Sequence, residues 1–193
     1  MDYKLDFGPV LEGFPNLLWG CVGTLGLALS GMALAIVIGI GGVILLDSPI
    51  KPLRWLTMAF VEVIRNTPFL VQIYFIFFAL PIAGVRLNPT VTAIIALGLN
   101  AGAYAIEIIR GGVQSINKGQ VEAGLALGLR KSVVFRTIVL KPALRAIYPS
   151  LTSQFVLLTL TTSIASAVSA YELHPWRSRS NPIHSAASKS MER

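Results

Sequence analysis

Apolar residues gather into four long blocks along this chain, separated by short breaks of charged residues, proline and glycine. The first block, residues 17–46, runs thirty positions without a formal charge, where about 20 suffice to cross the hydrocarbon of a bilayer. Asp47-Ser48-Pro49 closes it, and the bases Lys51 and Arg54 follow. Residues 53–65 mix apolar positions with Glu62 and Arg65 and read as an interfacial or entering helix. Asn66-Thr67-Pro68 then reads as a helix start, with Thr67 as cap and Pro68 at the first helical position. A single kinked helix competes with this reading, because neighbours in a membrane can satisfy backbone groups that proline frees. Residues 84–88 form a turn. The expected architecture is an all-α polytopic membrane protein with four spans, at about 17–46, 68–83, 89–109 and 147–170, and a loop over 110–145.

Composition agrees with that pattern, since 54% of the 193 residues are hydrophobic and only 13% are charged. The first block is rich in glycine (Gly20, Gly23, Gly26, Gly31, Gly39, Gly41 and Gly42), and small residues let helices approach closely in lipid. A secretory signal fits it poorly, because the run is too long and its leading segment carries Asp2, Asp6 and Glu12 against one base, Lys4. The single cysteine, Cys21, excludes an intrachain disulfide and reads as a small packing residue.

Charge supplies the topology. Seven bases (Arg110, Lys118, Arg130, Lys131, Arg136, Lys141, Arg145) face one acid, Glu122, within 110–145, which accounts for a net six of the chain's +7. This asymmetry marks a cytoplasmic loop and argues against nucleic acid as the reason for the basic balance. Counting spans from that loop places the N-terminus outside. The segment 174–193 departs from the pattern. It is polar, contains Pro175 and Pro182, and carries Arg177, Arg179, Lys189 and Arg193 on the side that parity makes external. It is expected to be a disordered tail.

Covalent catalysis finds no support in the residues. The two histidines, His174 and His184, both fall in the tail, and no metal-ligand spacing or nucleophile–base set occurs. Gly124, Gly128, Lys131 and Ser132 have the composition of a phosphate-binding loop without its spacing. No cofactor or metal is expected. Glu62 with Arg65, and Glu107 with Arg110, stand three apart and share a helix face, so each reads as an anchoring ion pair near a span's end. A proton-relay role is the alternative. Polar residues deeper in the blocks are Gln72, Asn100, Tyr104, Gln154, Thr159, Thr161, Thr162 and Ser163. Of these Gln72, Asn100, Tyr104, Thr161, Thr162 and Ser163 are the candidates for a solute path, against simple interhelical hydrogen bonding.

The most specific segment is 122–142. Glu122-Ala123-Gly124, three residues, Gly128, nine residues and Ile138-Val139-Leu140-Lys141-Pro142 follow in order. Gly119 through Gly128 can form a short helix with small residues on one side, suited to docking a partner protein closely.

At this point the chain resembles the permease subunit of a bacterial ATP-binding-cassette importer of the polar amino-acid branch (histidine, glutamate, glutamine and arginine type). The family's loop motif is Glu-Ala-Ala, three residues, Gly, nine residues, Ile-x-Leu-Pro. Glu122, Ala123, Gly128, Ile138 and Leu140 match it, Gly124 replaces an alanine, and Lys141 displaces the proline by one position. The stretches 62–72 and 103–120 resemble the family's second-span entry and its approach to the loop. The family has Lys-Asp-Thr-Ser-Leu where this chain has Leu160-Thr161-Thr162-Ser163-Ile164, and it continues into a fifth span past Glu172-Leu173.

The resemblance implies a permease domain over 1–173 in the bacterial inner membrane. It implies ATP-driven amino-acid uptake with hydrolysis on separate cytoplasmic ATPase subunits. The other partners it implies are a second permease, identical or not, an extracytoplasmic solute-binding protein and the lipid bilayer. ATPase coupling would fall to Gly119, Gln120, Glu122, Ala123, Gly124 and Gly128. The alternatives are an ion- or proton-coupled secondary carrier using Glu62 and Glu107, or an inactive subunit with a truncated or frame-shifted C-terminus.

Overall fold

A computed structural model describes residues 14–85 and 87–179, and every regular element in them is helical. In chain order these are α1 (Phe14–Leu46), α2 (Lys51–Asn66), α3 (Phe69–Ile82), α4 (Pro89–Gln114), α5 (Lys118–Ala126), α6 (Lys131–Val134), a π-helical turn (Phe135–Leu140) and α7 (Lys141–Arg179). Among the described residues two helices are long and apolar enough to cross a membrane, Leu18–Leu46 and Pro89–Gln114. The pair α2 and α3 makes a third if it is counted as one span. The fourth expected span, 147–170, lies inside α7.

Contacts between glycines and bulky side chains set the helix directions. Leu34 packs on Gly98, Ile38 on Gly102 and Ile106 on Gly42, so residue numbers rise together and α1 and α4 run parallel. A Cβ on Gly102 would stand 2.7 Å from Ile38 Cγ2, and one on Gly39 2.8 Å from Ala105 Cβ. Such approaches let van der Waals packing hold helices together where lipid removes the hydrophobic drive. Gly20, Gly23, Gly26 and Gly41, by contrast, face open space. α7 runs antiparallel to α4, since Ile147 meets Gly112 while Leu158 lies with Leu97 over Gly31. α3 is antiparallel to α4 as well, with Gln72 bonded to Asn100 and Phe77 near Thr92. The alternation of directions expected from the charges is therefore built into the packing.

The core is small-residue rich (Ala28, Ala35, Ala96, Ala101, Ala105), with Ile73, Leu97, Ile106 and Thr162 as its largest fully buried side chains. Trp19, Phe75 and Ile82 are at least 72% exposed, as side chains facing lipid would be.

The bend between α2 and α3 is 111°, which makes the pair an elbow and not a single kinked helix. The expected cap is corrected here. Thr67 ends α2, and its hydroxyl donates back to the Val63 carbonyl at 2.7 Å, while Pro68 occupies the N-cap position of α3 without a side-chain cap bond. A threonine that closes a helix can donate to the carbonyl one turn back.

The expected loop and tail are corrected too. α4 extends to Gln114, and α6, the π turn and α7 follow one another without a break from Lys131. Pro142 has no N–H to return to the preceding turn, and the wider π register lies immediately before it. Displacement of the family's proline by Lys141 thus leads into a continuous helix. That helix carries Pro142, Pro149 and Pro175, passes the expected tail start at 174 and continues to Arg179; an interior proline costs about 3 kcal/mol without obliging a helix to stop. The remainder of the expected tail, 180–193, lies outside the described residues.

Candidate functional site

The elbow opens a cavity with a polar wall within the bundle. Pro68 denies α3 an N–H, and the turn leaves the carbonyls at the end of α2 short of helical partners, Ile64 keeping only a 3.4 Å bond from Thr67 N. Gln72, one turn into α3 and only 8% exposed, supplies them: its Nε2 donates to the carbonyls of Ile64 and Thr67, both at 2.7 Å. Its Oε1 accepts from Asn100 Nδ2 of α4 at 3.1 Å. One carboxamide therefore closes the elbow and ties it to α4.

A cavity of about 490 Å³ lies between this elbow, α4 and α7. Arg65, Asn66, Thr67, Asn100, Tyr104, Gln154 and Thr161 give its polar wall, and Pro68, Phe69, Leu157 and Leu158 its apolar one. Of the path candidates, Asn100, Tyr104 and Thr161 meet here. Gln72 stands behind the wall as the support of Asn100. Thr162 is 1% exposed, with its hydroxyl on the Thr159 carbonyl at 2.6 Å, and Ser163 is exposed outside the cavity. Three consecutive helical residues point about 100° apart, so one of them can share a given wall.

Arg65 and Gln154 complete the wall and were not among the path candidates. Arg65 also corrects the expected ion pairs. Its Nη1 lies 3.6 Å from Glu107 Oε2, and Arg110 Nη1 lies 3.6 Å from Glu107 Oε1. Glu62 is exposed and belongs to neither of these two pairs. The elbow turns the end of α2 across α4, so Arg65 meets Glu107 on the other helix, and its guanidinium carbon sits 5.4 Å from the Tyr104 ring centroid. All three charged side chains are roughly 40% exposed, a setting in which each pair contributes about 0.2–1 kcal/mol. Glu62 and Glu107 are not assembled into a relay.

The second candidate region is α5. Asn117 caps it, accepting from Gly119 N at 2.8 Å. Gly128 ends it with φ +76°, donating to the Leu125 carbonyl at 3.0 Å while Leu129 donates to Gly124 at 3.2 Å. This paired closure needs a left-handed residue, which is why glycine stands there. Gly124 faces inward: a Cβ on it would meet Ile138 Cδ1 at 2.7 Å and Val134 Cγ2 at 3.2 Å. It seats α5 on α6 and the π turn, so its small size serves this chain's own packing. Gly119, Gln120, Glu122 and Ala123 are exposed, as is Leu127 at 81%. An opening of about 590 Å³ lies beside Glu122, with Val113, Gln114, Lys118 and Val121 among its lining.

Residues 39–174 match the family model described as binding-protein-dependent transport system inner membrane component. The chain is 37% identical over 168 residues to the L-cystine transport system permease protein of Bacillus subtilis (strain 168), covering 87% of this chain and 69% of that protein. It is 37% identical over 180 residues to the glutamine transport system permease protein of Escherichia coli (strain K12), covering 88% and 78%. A solved structure of an amino acid ABC transporter with histidines superposes with a TM-score of 0.78 at 30% identity, covering 86% of this chain and 78% of that one. An inward-facing methionine ABC transporter shares the fold with a TM-score of 0.67 at 22% identity, covering 82% and 76%.

Proposed function

The chain belongs to the family of binding-protein-dependent transport system inner membrane components, and on that premise we propose how its two candidate regions divide the work of an ATP-driven amino-acid permease. The elbow cavity is the membrane path for the amino acid. α5 is the docking element for a separate cytoplasmic ATPase subunit, with Gly119, Gln120, Glu122, Ala123 and Leu127 on its outer face and Gly128 fixing its end. Gly124 serves the same coupling from within, by seating α5 on the helix that continues into α7. The N-terminus lies outside, a second permease completes the path, and a solute-binding protein delivers the substrate from outside. ATP hydrolysis takes place on the ATPase subunits.

What supports this reading above all is the outer face of α5, which the described residues leave uncovered. Leu127 is a large apolar side chain at a helix end, next to a glycine that no larger residue replaces without strain. An exposed leucine alone says little. A leucine presented on a rigid closure, beside an acid in a strongly basic segment, is a specific surface. An ATPase that closes on nucleotide would pull α5 and so bias the bundle between two arrangements through differential contacts.

The test replaces Glu122 by Arg, and separately Leu127 by Asp, in the full chain expressed with its ATPase. Membrane insertion should persist, while copurification of the ATPase and ATP-dependent uptake should both fall at least tenfold. Undiminished uptake in both variants removes α5 from the coupling role.

A further inference from the structure

We propose that the elbow cavity is selective for a zwitterionic amino acid with an uncharged, hydrogen-bonding side chain, and that Arg65 holds its α-carboxylate. This rests on the permease reading and deepens it. Among the described residues, Arg65 is the one formally charged side chain in the cavity wall. Its ion-pair partner is Glu107, which it meets at 3.6 Å and shares with Arg110. A strong guanidinium–carboxylate bond is about 2.7–2.9 Å long. Arg65 is therefore loosely paired, and most of its five N–H donors remain for a planar carboxylate arriving from the cavity.

The rest of the wall decides the side chain. Asn100 commits Nδ2 to Gln72, which leaves Oδ1 as an acceptor for the substrate ammonium. Gln154 makes no hydrogen bond among the described residues, and the Thr161 hydroxyl donates to the Leu158 carbonyl at 2.7 Å, keeping its lone pairs to accept. A carboxamide or hydroxyl side chain finds both a donor and an acceptor there.

A cationic side chain finds no carboxylate in this wall and one like charge. An anionic side chain competes with the α-carboxylate for the same guanidinium. A charge taken from water without a partner is costly, so both classes are disfavoured. The cavity's 490 Å³ falls in the usual range for a small-molecule site.

The experiment measures equilibrium binding of radiolabelled L-glutamine, L-arginine and L-glutamate to the purified full chain in detergent, without its binding protein. L-Glutamine should bind at least tenfold tighter than the other two. Arg65→Gln should weaken L-glutamine at least tenfold, and Gln154→Glu should move the preference toward L-arginine. Equal binding, a preference of the unmodified chain for a charged probe, or no binding of any of the three overturns the proposal. Arg65→Gln binding normally overturns the carboxylate assignment. ATP-dependent uptake by the assembled transporter, measured alongside, separates the outcomes. Uptake of a charged amino acid sinks the selectivity and leaves the permease reading standing, whereas no uptake of any amino acid sinks that reading.

Discussion

Asn100 of α4 donates from Nδ2 to Oε1 of Gln72 in α3 at 3.1 Å, joining two helices through a side chain that also closes the elbow. Gln72→Leu strips the Thr67 carbonyl and the Asn100 amide of their partners in a half-buried place and leaves the Ile64 carbonyl only its 3.4 Å bond from Thr67 N. Each such loss costs about 1–3 kcal/mol in full, and less where other helices offer partners. Thermal unfolding of the purified chain should show a loss of about 2 kcal/mol or more. Gln72→Glu should do no better, since a carboxylate presents oxygen to two carbonyl oxygens. Stability unchanged in both variants would mean that the elbow is held by other contacts.

The Arg65–Glu107 pair should contribute little to stability. Both side chains are partly exposed and 3.6 Å apart, so a double-mutant cycle with Arg65→Ala and Glu107→Ala should give a coupling below about 1 kcal/mol. A coupling of about 3 kcal/mol would make the pair a structural clamp and weaken the case that Arg65 is available to a substrate.

Glycines in two packed helices should respond in opposite ways. Gly26 faces open space in the middle of α1, and Gly26→Ala should raise stability by up to about 1 kcal/mol through helix propensity. Gly102→Ala drives a methyl into Ile38, whose branched Cβ would lie 2.9 Å away, and should cost about 1–3 kcal/mol through overpacking. The same direction for both, by thermal or denaturant unfolding, contradicts the α1–α4 packing described.

Gly128→Val should loosen α5 locally. At φ +76° a side chain is strained by about 1–2 kcal/mol, and valine is worse placed than alanine because of its branching. Amide hydrogen exchange should quicken across 119–129 and stay unchanged in α1 and α4. Unaltered exchange at 119–129 would show that the helix end does not depend on its glycine.

These outcomes bear on how much of the protein can be read before its structure. The apolar blocks, the basic loop and the motif spacing carried the helical membrane architecture and the relative helix directions, because those depend on composition and periodicity alone. The elbow was half legible. Asn66-Thr67-Pro68 announced a break, but its 111° angle is held by Gln72 reaching across it and over to α4, and no local rule specifies such bonds. Arg65 was assigned to Glu62 because three-residue spacing shares a helix face. The elbow instead brought Glu107 within reach, and tertiary geometry overrode local spacing. Arg65 therefore passed as a charge at the membrane edge although it lines the cavity. Thr161, Thr162 and Ser163 show an available signal left unused: helical rotation alone forbids all three from lining one wall.

The uninterrupted run from α6 through the π turn into α7 has a mechanical consequence. At 1.5 Å per residue, Thr161 stands about 45 Å along this rod from Lys131, and Gln154 about 35 Å. A tilt of about 5° pivoting at Lys131 would carry Thr161 sideways by about 4 Å, more than the width of a hydrogen bond. If a subunit docks at α5 as proposed, a small rotation there would be amplified into the making or breaking of contacts with whatever the cavity holds.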